Sequence, residues 1–271
     1  MPSIMAPRPV VRALDHLGRR TAGALAEIGL AASLVAESFY WLLVGRRRRQ
    51  PVRASALFRQ MMEIGIRALP IVAAMAATIG IMLAIQGIHT LRAFGAETQV
   101  TLGIALSMTR EFAPLITGIM VAGRSGSALA ARLGTMRINQ EIDALTVMGI
   151  SPVRFLVAPA LFACLIIVPC LTVFNGFVGL AAAGLYVSVE LGMSLAVYAE
   201  EVLTILSPHD VLHGLGKSVI FALLIAVIGV VNGLMVSGGA EGVGRATTRA
   251  VVQSISAIVI TDMLFVFVVT R

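Results

Sequence analysis

From Phe155 to Val189 the chain carries no charged side chain, and this stretch restricts the fold more than any other feature of the sequence. About 20 apolar residues in a helix cross the roughly 30 Å hydrocarbon core of a bilayer. Inside hydrocarbon every backbone N–H and C=O must be satisfied within the protein, which a helix achieves by itself. Similar runs recur along the chain. Only 13% of the 271 residues are charged, against 58% hydrophobic and a mean hydropathy of +0.94. A soluble domain carries about a quarter charged residues. The fold class is therefore an all-α polytopic membrane protein.

Spans are expected near 68–89, 99–122, 154–187, 215–237 and 250–270. The third run exceeds the length of one crossing, and Asn175-Gly176 offers a turn that would split it. Charge placement decides between the two readings, because cytoplasmic loops carry the excess of Lys and Arg. With five spans the cytoplasmic side holds Arg8, Arg12, Arg19, Arg20, Arg46 to Arg49, Arg53, Arg59, Arg67, Arg124, Arg132, Arg137, Arg154, Arg245 and Arg249, which is 17 of the 21 basic residues. The segment 190–210 holds four acids and no Lys or Arg, and falls outside. Splitting the third run would reverse both placements. Five spans follow, with the N-terminus inside, the C-terminus outside, and the excess helix projecting past the outer face.

Residues 21–45 form a further apolar stretch, interrupted by Glu27 and Glu37 and closed by Arg46 to Arg49. As a span it would leave arginines on both sides. A helix lying in the cytoplasmic interface fits better, with Phe39, Tyr40 and Trp41 at headgroup depth and the arginines on anionic lipid. The chain thus divides into a cytoplasmic N-terminal segment, 1–66, and a five-span domain, 67–271.

Several functions are excluded. The net charge of +7 comes from arginines at the ends of apolar runs, not from a basic face with interleaved aromatics, so nucleic acid is not a partner. Cys164 and Cys170 have no metal-ligand spacing and read as packing thiols. His209-Asp210-x-x-His213 lacks the Glu of a zinc helix and reads as a span entrance. No Gly-rich phosphate loop ending in Lys-Ser/Thr occurs, so this chain does not bind and hydrolyse ATP by itself. No signal-peptide pattern opens it.

Between the second and third runs lies NQEIDALTVMGISPVRFLVAP, Asn139 to Pro159. Asn139 is placed to cap a short helix, and Glu141 and Asp143 sit at its positive end. Gly149 ends it and Pro152 prevents a restart. The spacing Asp143-Ala144-Leu145-x-x-x-Gly149-x-Ser151-Pro152 resembles the EAA loop of ABC importer permeases, whose helix docks on the ATPase subunit. Asp143 replaces the usual Glu, and the gap to Pro159 is shorter.

The run Arg110-Glu111-Phe-Ala-Pro114-Leu, then Ala122-Gly-Arg124-x-Gly126-Ser127-Ala128-x-Ala130-Ala131-x-x-Gly134-Thr135-Met136, then Gln140-Glu-Ile-Asp143-Ala144-Leu145-x-x-Met148-x-x-x-Pro152, resembles the MlaE/YrbE family, the permeases of lipid-transporting ABC systems that work with MCE-domain proteins. The likeness is specific over 108–159. Arg132 departs from it, since an acidic residue is expected there in many relatives. The resemblance implies a homodimer in the bacterial inner membrane, with two cytoplasmic ATPase subunits on its coupling helices and a hexameric MCE protein on its outer face. It further implies phospholipid as substrate, moved between inner and outer membranes to maintain lipid asymmetry. The coupling residues would be Gln140, Glu141, Asp143, Ala144, Leu145, Met148 and Gly149. This chain would hold no cofactor, ATP and Mg being bound by the partner.

Four ionisable residues fall inside or near spans, each costing about 2.5–3.5 kcal/mol at mid-bilayer unless partnered or hydrated. Arg110 and Glu111 lie about halfway along the second span and, being adjacent, point about 100° apart, so they are not expected to face the same neighbour. Asp262 lies at a depth that permits an Arg110–Asp262 pair. Lys217, near the outer end of the fourth span, is placed to snorkel. These charges either line a lipid cavity or staple helices together. Pro114 should kink the second span. Gly229 and Gly233, four apart, suit close helix packing, and Ser237 to Gly244 reads as a flexible cytoplasmic connection. Three rival readings stand beside the lipid permease: an importer-type permease for a small polar solute, a secondary transporter using Arg110, Glu111 and Asp262 as a relay, and a purely structural membrane anchor, which would have little reason to keep costly mid-membrane charges.

Overall fold

The computed structural model describes residues 9–45 and 52–269. The tract Arg46 to Arg49, Arg8, the side chains of Arg12, Arg19 and Arg20, and the last residue of the fifth run lie outside the described residues. Among those described there is no strand. The helices are α1 Pro9–Val44, α2 Ala54–Ile64, α3 Leu69–Arg92, α4 Val100–Ser107, α5 Ala113–Val121, α6 Ser127–Ile138, α7 Glu141–Val147, α8 Ala158–Leu191, α9 Leu195–Ile205, α10 Pro208–Leu234 and α11 Gly239–Val269. Six stretches are long and apolar enough to cross a membrane: Thr21–Val44, Ala54–Arg92, Glu97–Ile138, Val153–Leu191, Pro208–Leu234 and Gly239–Val268. Three of them contain expected spans whole, Pro208–Leu234 and Gly239–Val268 cover all but the last two or three residues of 215–237 and 250–270, and the first contains most of the apolar stretch 21–45.

The second span is longer than its apolar run. Wider π-helical turns at Met108–Phe112 and Ala122–Gly126 join α4, α5 and α6 into one rod, which continues through the Arg124–Arg137 segment to Ile138. The sequence hid this continuation because charged and small residues replace leucine and valine there, although nothing in them breaks a helix. Pro114 marks the upper junction. A π turn absorbs the distortion that proline imposes by displacing the hydrogen-bond register locally.

The third run does not turn at Asn175-Gly176. It passes through that pair as helix to Leu191, with Pro169 inside it and Gly192 in the left-handed conformation at its end (φ 67°). Asn175 is buried and donates to the Thr117 hydroxyl on α5 at 3.0 Å. Its amide is thus a cross-helix contact and not a turn former. The excess length packs under α9, where Tyr198 lies against Gly184. Burial pushes the Tyr198 phenol up to about 12, so it stays neutral.

Small residues set the closest helix contacts. A Cβ on Gly80 of α3 would strike the carbonyl oxygen of Gly179 on α8, and Gly179 itself receives the end of Met108. Gly229 and Gly233 perform the expected role on α10. Added Cβ atoms there would meet Gly126 O at 3.0 Å and Leu133 Cβ at 2.7 Å on the rod. The Ser237–Gly244 segment differs from expectation: only its first residues connect, and helix α11 begins at Gly239. Gly238 and Gly239 make the positive-φ turn between helices, and the remaining glycines do not prevent helix once neighbouring turns supply the hydrogen bonds.

Among the described residues, helix α1 touches the bundle near one end. Leu34 is buried among Val157, Ala160, Val230 and Val231. Glu27 pairs with Arg249, and Phe39 meets Phe162 edge to face at 5.3 Å. Glu37 accepts from Trp41 Nε1 at 3.0 Å and from Ser151 Oγ at 3.1 Å. These partners lie at the start of α8, the end of α10 and the start of α11. Helix α11 exposes Val252, Val259, Ile260, Met263, Leu264 and Phe267.

Candidate functional site

Two regions gather the residues singled out in the sequence: a buried charge cluster and an outlying helix. The cluster begins at the N-terminus of α10. Ser207 caps that helix, and Asp210 returns the bond by accepting from the Ser207 N–H and hydroxyl, both at 2.8 Å. This capping box orients the second face of the Asp210 carboxylate toward the rod. There it accepts from Arg110 Nε at 2.6 Å, within a two-contact guanidinium pair. Two turns further along α10, Lys217 is fully buried. Its ammonium pairs with Glu111 and, at 2.9 Å, with Asp262 of α11. His213 stands between the two levels, 4.0 Å from Glu111 and edge-on to Phe265.

Three expectations are corrected. Arg110 and Asp262 do not pair, because Lys217 lies across the gap and takes Asp262, leaving Arg110 to Asp210. Lys217 does not snorkel, since two carboxylates inside the bundle offset the cost of burying its charge. Arg110 and Glu111 do face the same neighbour, α10. The π turn alters their angular spacing, and their targets are seven residues apart, about 10 Å along the axis. The approach depends on Gly214, where a Cβ would collide with the Thr109 carbonyl oxygen. Asp210 was the member sequence reasoning missed, although the Ser207-Pro208-x-Asp210 pattern is a legible helix start.

Counted with neutral His213, the cluster holds two cations and three carboxylates. Arg110 and Glu111 are partly exposed, whereas Asp210 and Lys217 are not. An arrangement with one buried side and one open side can hold helices in register and still meet a polar group at its surface. Among the described residues no group of three or more His, Cys, Asp or Glu gathers as for a metal ion.

The outlying helix is α7. Its start differs from expectation: Asn139 ends α6, and the residue before α7 is Gln140 in the left-handed conformation (φ 58°). Asn139 instead donates to the Glu141 carboxylate at 3.2 Å. Asp143 binds Arg137 at 2.6 Å, closing the reversal between α6 and α7. The C-terminus follows expectation. Gly149 has φ 74°, its N–H donates to Thr146 O, and the Ile150 N–H donates to Leu145 O. That is the Schellman arrangement. Pro152 opens the next helix and does not block it, since φ near −60° suits a first turn. Ile142 is the buried anchor of α7, while Gln140, Glu141, Asp143, Ala144, Met148 and Gly149 are exposed and Leu145 is half-buried. Val147 is 88% exposed. Two turns, closed at the C-terminus by Gly149, thus carry an outward apolar tip.

An all-helical multi-pass bundle with buried ion pairs and a capped helix presented beyond it belongs to the class of membrane transport subunits. The family model described as Permease MlaE matches residues 57–268, and the chain belongs to that family. It is 36% identical over 250 residues to a probable ABC transporter permease protein of Rickettsia conorii, covering 92% of this chain and 95% of the relative. It is 30% identical over 252 residues to the intermembrane phospholipid transport system permease protein MlaE of Haemophilus influenzae, covering 90% and 92%. Over 206 residues it is 34% identical to the chloroplastic protein TRIGALACTOSYLDIACYLGLYCEROL 1 of Arabidopsis thaliana, covering 76% and 59%. The protein is thus a multi-pass ABC transporter permease acting in lipid transport.

Proposed function

We propose that this permease moves phospholipid between the inner and outer membranes of a bacterium, maintaining lipid asymmetry, as a homodimer driven by two cytoplasmic ATPase subunits that bind ATP and Mg. Its N-terminus is cytoplasmic and its C-terminus periplasmic. Helix α1 lies in the cytoplasmic interface, consistent with its contacts being confined to one end of the bundle. The exposed apolar face of α11 meets the second copy, and a hexameric MCE protein sits on the outer face. The observation that carries the reading is the geometry of α7, with its ends fixed by a Schellman motif and an Arg137–Asp143 pair and its tip left free.

The mechanism is mechanical. Closure of the ATPases displaces α7, which is packed on α6. Because α6, α5 and α4 form one rod, the displacement travels to Arg110 and Glu111. The two π turns are where such a rod can shift register. A change there alters the pairing with Asp210 and Lys217 and so the surface offered to a lipid headgroup. The pair V147D and M148D tests docking. These exposed side chains support no core, so the variants should fold normally but lose co-purification of the ATPase. Unchanged assembly and ATP-dependent lipid transfer would refute the assignment of α7.

A further inference from the structure

A second polar region lies far from the charge cluster, where α2 meets α6 and the start of α8. A cavity of about 280 Å³ opens there, close to the lower size of small-ligand pockets. Its polar rim is Arg67, Arg124, Arg132, Gln60 and Glu63, and its floor is Ile64, Leu129, Ala160, Cys164 and Ile225. A recess of about 350 Å³ shares Gln60 and Arg132 and adds Arg53 and Arg59. The first cavity therefore carries three guanidinium groups against one carboxylate, and the two together carry five against one.

Glu63 offsets only part of this charge. Among the described residues no ion pair within 4.0 Å forms at Arg59, Arg67, Arg124 or Arg132. With its amide turned so that the oxygen faces Arg132, Gln60 accepts from that guanidinium at 2.6 Å, but Arg132 Nε is buried without a hydrogen-bond partner. Arg124 reaches only the Glu63 backbone oxygen, at 3.4 Å. Arg67 is exposed, whereas Arg124 and Arg132 are half-buried, and holding two unpaired guanidinium groups beside an apolar floor is unfavourable without an anion. The planar donor fork of arginine matches a phosphate.

We infer that this cleft binds the phosphate of an anionic phospholipid, with the oxyanion among Arg67, Arg124 and Arg132 and the glycerol end of the acyl chains against Ile64, Leu129 and Ile225. A free phosphate would satisfy the arginines but leave the apolar floor uncovered. A zwitterionic headgroup would bring an ammonium against the surplus of positive charge. The cleft sits on the rod about 20 Å from Arg110, between α7 and the charge cluster. A lipid bound there would stiffen the segment that relays motion, whether or not it is the lipid transported.

The test is native mass spectrometry of the full-length protein, delipidated in detergent and titrated with phosphatidylglycerol or phosphatidylcholine, with and without inorganic phosphate. Phosphatidylglycerol should be held about tenfold more tightly than phosphatidylcholine. The double variant R124Q/R132Q should remove that preference, R132K should retain most of it, and E63Q, which removes the opposing carboxylate, should strengthen it. Equal retention of the two lipids by the native chain would overturn the proposal. So would an unchanged preference in a double variant that elutes as a folded species. If that variant does not fold, an E63Q protein indistinguishable from native overturns it instead. Complete displacement of phosphatidylglycerol by inorganic phosphate would assign the arginines to a free anion and overturn the lipid.

Discussion

Lys217 holds more of the buried charge together than any other side chain. It is the cation shared by Glu111 on the rod and Asp262 on α11, so it ties three helices at one depth. Removing one partner of a buried pair leaves an uncompensated charge and costs about 3–5 kcal/mol. Substitution K217M should therefore lower the thermal midpoint strongly in detergent, whereas D262N, which leaves Glu111 in place, should lower it less. R245A breaks only the exposed pair with Glu241 and should cost about 1 kcal/mol or less. Denaturation of the three variants side by side checks the order. If K217M behaves like R245A, the cluster does not hold the bundle and its charges are free to serve another purpose.

At the scale of helices, packing is governed by positions where no side chain fits. Adding one methyl at Gly80 drives it into the Gly179 carbonyl, and backbone cannot yield as a side chain tip can. G80A should separate α3 from α8 and cost about 1–3 kcal/mol. Gly216, on α10, has nothing within 4 Å of an added Cβ, so G216A should be neutral or gain about 0.4–1 kcal/mol by restricting the unfolded chain. Thermal unfolding of both proteins in the same detergent tests the contrast, and an undamaged G80A would mean the helices are not in close contact.

These helices also show what a sequence can disclose. Apolar length announced the five long elements, and the Gly149 stop of α7 was legible because its chemistry is local. The pairing of Arg110 with Asp210 was not. It depends on a π turn, which changes angular spacing without a residue signature, and on α10 lying against the rod at Gly214. Asn175 looked like a turn former because its partner, Thr117, is 58 residues away. Long-range partners reassign polar residues that local reasoning places in loops.

For the whole molecule the central quantity is the direction in which the bundle crosses the membrane. Arg124, Arg132, Arg137, Arg154, Arg245 and Arg249 all belong to the end that carries α7 and the contacts of α1, and Glu190, Glu200, Glu201 and Asp210 belong to the other. Because basic residues near span ends resist translocation and acidic ones do so little, the α7 end should face the cytoplasm. That orientation would give α7 access to an ATPase and put α9 on the periplasmic side. With Cys164 and Cys170 replaced by alanine, single cysteines at Val147 and at Glu200, both on exposed surfaces, report each side. A membrane-impermeant maleimide added to intact cells should label the Glu200→Cys protein and spare the Val147→Cys protein until the membrane is permeabilised. Labelling of Val147→Cys from outside would place α7 away from ATP and end the mechanical account, while the internal geometry of the charge cluster would still stand.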